Sequence, residues 1–312
     1  MDQRRAIVNV DVGVDDYYAL LILLYAEKRG ELKIEALVCS SGNTNVTNVL
    51  KNTVRLLELV DRTDIPVYKG VGEAFIRHTT ADDYFGKDGF GDLEYDKEPN
   101  LDVVKSDLAA IGLNELITAN PGEISLICLA PLTDIAVTLK LFSDFSSSVR
   151  DIWILGGNYR ATHPSGVNTE FNFLYDPVAA HIVFENVLLP RIYIYTYEGF
   201  SQSTITYEWK YNVLGSQTPT MALATRAEKS IGRDQLNSTW DHADAILAFC
   251  FVKPESCVLE SQLRSVDIEL KNQEKLGWII WDPDNKSKNV QLIETVDQEA
   301  IKSYLLEVTN YL

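Results

Sequence analysis

The chain has 312 residues, of which 45 are acidic and 28 basic, giving a formal charge of −17 at pH 7. This length supports a large core, and nothing in the composition requires more than one domain, so residues 1–312 are read as a single α/β unit. So negative a chain repels phosphate backbones and anionic lipid surfaces, which excludes nucleic acid and membrane as expected partners.

Met1 to Arg5 lead directly into the apolar run Ala6 to Val10, without an apolar signal segment, and a cytoplasmic address is expected. Ala6 to Val10 predicts a strand. Asp15 to Lys28 follows with apolar residues at helical spacing and acids in its first turn. The alternation recurs as Ile34–Cys39 then Val46–Val60, Ser125–Leu129 then Leu132–Leu141, and Ile152–Leu155 then Pro177–Glu185. Leu189–Tyr197 predicts a further strand, Ala243–Val252 a helix, and Val266–Leu270 with Gly277–Trp281 a late strand pair. Cys39, Cys128, Cys250 and Cys257 lack the paired spacing of a metal or redox site and read as buried reduced thiols. Strands alternating with helices imply parallel β-α-β units and an open, mostly parallel, Rossmann-like sheet covered on both faces. In such sheets ligands bind beyond the carboxyl ends of the strands, so polar residues directly after strands carry most weight.

The strongest local signal is Asn9-Val10-Asp11-Val12-Gly13-Val14-Asp15-Asp16, where three carboxylates crowd a glycine-containing turn between the first strand and first helix. Crowded carboxylates repel one another unless a cation sits among them, and hard oxygen ligands suit calcium or magnesium. Taken alone, the run is equally read as Asp15 and Asp16 facing the helix dipole while Asp11 caps a turn.

Asp-x-Gly-x-Asp-Asp after a first strand resembles the opening of the inosine-uridine nucleoside hydrolases, and further matches follow in order. Ser41-Gly42-Asn43 resembles that family's Gly-Asn loop, Ala130-Pro131-Leu132-Thr133-Asp134 its Gly-Pro-Leu-Thr-Asn turn, and Leu155-Gly156-Gly157 its Met-Gly-Gly strand end. Glu170-Phe171-Asn172-Phe173 with Asp176-Pro177 and Ala179-Ala180 is similar to its Glu-Phe-Asn and Asp-Pro-Glu-Ala-Ala segment, and Asp244 to its late calcium-binding aspartate. Glu269-Leu270 and Leu276-Gly277 resemble its closing strands, so the likeness covers nearly the whole chain.

The resemblance implies a small ribonucleoside substrate, a homodimer or homotetramer, and a calcium ion (Ca2+) held by Asp11, Asp16, Asp244 and the backbone carbonyl of Leu129. It also implies that Asp11 takes a proton from the attacking water, since a cation acidifies nearby water and an adjacent carboxylate completes the transfer. By the same matching, Asp15 and Asn172 hold the ribose 2′ and 3′ hydroxyls, Asn43 the sugar and water, and Glu170 the 5′ hydroxyl.

The sequence departs from the family pattern at several points. Asn9 stands where its first aspartate is expected, where an amide keeps a hydrogen bond but removes a charge. Phe85 and Ala243 occupy two positions where histidines are expected, and Pro164 that of a 5′-hydroxyl asparagine, with Asn168 only two residues before the glutamate. None of His78, His163 and His181 falls at a matched catalytic position, which leaves His242, Asp241 and Tyr84 as candidate proton donors to the leaving base. Phe85, Phe171 and Trp240 are candidates for stacking on that base, with Trp240 favoured beside a ligand loop; core packing is the other reading, for Phe90 and Phe171 above all. The expected activity is therefore hydrolysis of the N-glycosidic bond of ribonucleosides, purine-leaning, with inosine and guanosine as test substrates. The alternative is a catalytically silent nucleoside or ribose binder. A haloacid-dehalogenase-type phosphotransferase is discounted because Asn9 would stand at its nucleophile position.

Overall fold

The structure is a computed structural model that describes residues 3–76, 83–160, 169–186, 191–233, 235–281 and 290–311. Pro164, Asn168, His78 and His163 lie outside the described residues. Nine strands form the main sheet: β1 (Arg4–Val10), β2 (Leu32–Cys39), β3 (Val67–Lys69), β4 (Val104–Leu108), β5 (Ile124–Cys128), β6 (Ile152–Leu155), β7 (Ile192–Tyr195), β8 (Val258–Arg264) and β11 (Val290–Val296). The other two, β9 (Val266–Ile268) and β10 (Ile279–Trp281), make the expected late antiparallel pair.

The strand order is β4-β3-β2-β1-β5-β6-β7-β11-β8, parallel throughout except for β8, which runs antiparallel to β11 at one edge. Period-2 alternation in β1 sends Ala6, Val8 and Val10 into the core on one face and Ile7 into the core on the other. The first core is closed by the helices Val14–Lys28, Ala243–Val252 and Gln298–Thr309, the second by Ala109–Thr118, Thr133–Leu141 and Pro177–Glu185. The helix Val14–Lys28 is buried nearly all round, which is why its sequence carries apolar residues on every face rather than one stripe. Among the described residues, no helix is long and apolar enough to cross a membrane.

The chain winds outward from β1 through β2 and β3 in one direction and from β5 through β6 and β7 in the other. The carboxyl ends of β1 and β5 therefore flank the point where the winding reverses, and crossovers leaving to opposite faces open a crevice there.

Candidate active site

That crevice is a pocket of about 440 Å³, in the range of roughly 300–1,000 Å³ common for small-molecule sites. Nearly every strand end in the middle of the sheet contributes to it: Asp11 after β1, Asn43 after β2, Leu129 after β5, Gly156 after β6 and Thr196 after β7. Glu170, Phe171 and Asn172 enter at the start of the helix Phe171–Tyr175, and Asp244 at the start of Ala243–Val252. Among the described residues no lysine or arginine lines it, whereas Asp11, Asp15, Glu170, Asp241 and Asp244 all do.

One oxygen each from Asp15, Asp16 and Asp244 lies within 4.8 Å of the others. At an effective dielectric constant of about 20, two unit charges that close repel by roughly 3 kcal/mol. Burial and the neighbouring carboxylates accordingly push all three acids well above the usual carboxylate range. Asp244 Oδ1 is buried with no hydrogen-bond partner. An all-oxygen donor set with one buried oxygen left open fits a hard divalent cation. Asp11 lies against this group rather than in it, and the Leu129 carbonyl, expected as a fourth ligand, accepts a hydrogen bond from Asn172 Nδ2 at 2.7 Å.

The turn also uses its acids as caps. Asp16 accepts from the Asp11 N–H at 3.2 Å and the Gly13 N–H at 2.9 Å, closing the helix start. Asp11 Oδ2 accepts from the Asn43 N–H at 2.7 Å. Burial, with Asp15 and Glu170 nearby, pushes the Asp11 carboxyl up to about 8 despite that bond. Glu170 caps its helix through Asn172 N–H and Phe173 N–H and also accepts from Gly157 N–H. Asn172 spends its amide hydrogens on the Leu129 and Leu155 carbonyls, which leaves its Oδ1 as an acceptor facing the pocket.

Asn9 has a local reason to be an amide. Its Nδ2 donates to Ser40 Oγ at 2.5 Å, and Ser40 Oγ donates to Asp134 Oδ2 at 2.5 Å. A carboxylate at position 9 would compete with Asp134 for the one hydroxyl proton.

The model of the family described as Inosine-uridine preferring nucleoside hydrolase matches residues 6–303. The chain belongs to that family. It is 34% identical over 186 residues to the Probable uridine nucleosidase 2 of Arabidopsis thaliana, covering 59% of this chain and 56% of that protein. It is 28% identical over 182 residues to the Inosine-uridine preferring nucleoside hydrolase of Crithidia fasciculata, covering 58% and 56%. The matched stretch thus spans little more than half the length of these relatives. Among solved structures, an inosine-guanosine nucleoside hydrolase superposes with a TM-score of 0.89 over 99% of this chain and 100% of its own at 24% identity. The purine-preferring ribonucleoside hydrolase from Gardnerella vaginalis does so at 0.81, over 99% and 100%, at 18% identity. At these identities the likeness is one of fold: the mostly parallel sheet with helices is that of the nucleoside hydrolases.

Within this nucleoside hydrolase fold the residues matched to metal and sugar converge, whereas the side matched to the base departs from expectation. Phe85 lines the pocket, edge-to-face with Tyr84 at 4.8 Å, and Phe171 lines it too, while Phe90 packs in the core against Tyr17. Trp240 does not reach the pocket, which corrects the expectation that it stacks on the base. Its ring is fully buried behind the wall, donating from Nε1 to Glu228 at 2.9 Å, edge-on to Tyr18 and stacked on His242 at 4.6 Å. It is His242 that meets the cavity. Burial pushes its imidazole down to about 4, so the ring is neutral near pH 7 and unsuited to giving a proton. Thr196, Tyr197 and Phe200 also line the pocket and were missed from sequence, although Thr196 directly follows β7, where the strand-end rule points.

Proposed function

We propose that this chain is a calcium-dependent ribonucleoside hydrolase with a preference for purine nucleosides. The observation that carries the proposal is that the cation-fitting group Asp15, Asp16 and Asp244 sits against the same pocket as Asp11, Asn43, Glu170 and Asn172. Calcium, when bound by Asp16, Asp244, the Leu129 carbonyl and the adjacent Asp11 and Asp15, supplies the positive charge that polarises the attacking water and the sugar hydroxyls.

Asp11, its Oδ2 fixed by the Asn43 N–H, accepts the proton of the water that attacks C1′. Asp15 and Asn172 Oδ1 accept from the ribose 2′ and 3′ hydroxyls, and Glu170, anchored by three backbone N–H groups, faces the 5′ end. Glycosidic cleavage develops positive charge on the sugar, and a pocket lined by five carboxylic acids and no cationic side chain among the described residues favours that charge. Phe85 and Phe171 supply flat apolar surface for a base.

Inosine, guanosine, uridine and cytidine assayed for ribose release, with and without a chelator, test the proposal. The expected result is purine-favoured release that chelation stops and Asp11→Ala abolishes; undiminished hydrolysis by Asp11→Ala would sink its assignment as base. Phe85 and Ala243, in place of two expected histidines, favour a second reading in which the chain binds nucleosides without cleaving them. Calorimetric binding with no ribose release distinguishes it.

A further inference from the structure

The hydrolase reading leaves Asp241, which lines the pocket, without a task. Tyr84, Phe85, Asp241 and His242 line the pocket with Ala243, and Phe85 and Ala243 stand where the resemblance expects the histidines that meet the leaving base. Asp241 is clamped from three separate segments. Its Oδ2 accepts from the Tyr84 hydroxyl at 3.0 Å and from the Tyr207 hydroxyl at 3.0 Å, and Arg233 Nε stands 3.9 Å away. The Arg233 guanidinium also lies 3.7 Å above the Tyr84 ring, fixing the phenol that fixes the carboxylate. Two hydroxyl donors converging on Oδ2 make that oxygen an acceptor and fix the side chain in place. Its other oxygen, Oδ1, accepts from no described residue, and the side chain, 21% exposed, is part of the pocket lining.

We infer that Asp241 is the residue that selects the nucleobase, its open Oδ1 accepting ring N–H and amino hydrogens so that guanine is favoured. The inference rests on the hydrolase reading, because it needs ribose held at Asp15 and Asn172. Guanine presents N1–H and its 2-amino group side by side, two donors that converge on the one open oxygen, since Oδ2 is taken by the tyrosine hydroxyls. Hypoxanthine presents N1–H alone. Uracil flanks its N3–H with two carbonyl oxygens that repel a carboxylate, and unsubstituted purine offers no donor on its six-membered ring. A fixed, charged acceptor rejects a base lacking its donor because the acceptor is then left unpaired.

Mutual-competition kinetics with guanosine, inosine, uridine and purine riboside test this on the wild-type enzyme and on Asp241→Asn. Wild type is expected to hold guanosine about ten- to a hundredfold more tightly than purine riboside, the range of one charge-assisted hydrogen bond, with inosine between them. Asp241→Asn keeps an oxygen for the two tyrosines and removes the charge; it is expected to lower the guanosine-to-purine-riboside ratio by about the same factor. A wild-type ratio near one overturns the inference without any variant, and so does a ratio that Asp241→Asn leaves unchanged. If no nucleoside yields ribose, the hydrolase reading fails, and calorimetric dissociation constants for guanosine and purine riboside then decide the role of Asp241 by the same ratio.

Discussion

Gly42 lies directly against Asp11: a Cβ built on Gly42 would stand 2.0 Å from Asp11 Oδ2, the oxygen that accepts the Asn43 N–H. The glycine is required by space, since any side chain there must push the carboxylate out of its hydrogen bond. Gly42→Ala is therefore expected to lower kcat/KM for ribose release by about a hundredfold or more, the scale of a displacement near 1 Å in a reacting group. An alanine variant with wild-type kinetics would show that the position of Asp11 is not critical.

The cation proposed at the Asp15, Asp16 and Asp244 group would show in stability as well as activity. A ligand at 100 times its Kd stabilises the folded state by about 2.7 kcal/mol, worth several degrees of Tm in a chain of this size. Scanning calorimetry of chelator-treated protein, with and without added calcium, is expected to show that rise. Asp244→Asn, which replaces the buried open oxygen group, is expected to flatten the response. An unchanged Tm across all conditions would argue against a cation site.

The sequence is most informative where a structural requirement is local. β1, β5, β6 and the second half of β2 are largely buried on both faces and so read as near-continuous apolar runs, while the edge strands β4 and β8 are largely exposed and carry mixed sequences such as Val104-Lys105-Ser106-Asp107-Leu108 that no apolar pattern marks. The acidic turn, the Gly-Asn loop and the Glu-Phe-Asn helix start are short motifs with fixed spacing, and the fold brings them together. Trp240 misleads because its surroundings are set by Tyr18 and Glu228, distant in sequence. Asp241 has no local signature at all: it is defined by Tyr84 and Tyr207, which lie 157 and 34 residues before it.

Asp134 gives a pH dependence separate from the cation group. Burial pushes its carboxyl up to about 6, although Ser40 Oγ and the Val71 N–H both donate to it. The folded state therefore holds this proton more tightly than the unfolded chain. The stability it contributes is present below about pH 4 and lost as pH rises to about 6, on the order of 2–3 kcal/mol. Urea unfolding of wild type and Asp134→Asn at pH 4, 5, 6 and 7 is expected to show the asparagine variant gaining on wild type across that window and no further above it. A difference independent of pH would remove Asp134 as the titrating group.

Behind the pocket wall, Lys210 and Glu228 form an ion pair with both side chains essentially sealed from solvent. Glu228 also accepts from Trp240 Nε1 at 2.9 Å and the Tyr18 hydroxyl at 3.2 Å, and Lys210 donates to Thr225 Oγ1 at 2.7 Å. Burial raises the glutamate and lowers the lysine, opposed in both by the mutual attraction. Removing one partner strands the other charge in an apolar interior, at a cost of about 3–5 kcal/mol, whereas replacing both leaves no stranded ion. Glu228→Gln and Lys210→Met are each expected to destabilise the fold by about that amount, and the double variant by clearly less than the sum. Because Trp240 links Glu228 to His242, Glu228→Gln is also expected to raise KM for nucleosides by loosening that wall. Additive single losses in denaturant unfolding would mean that the two side chains are not coupled.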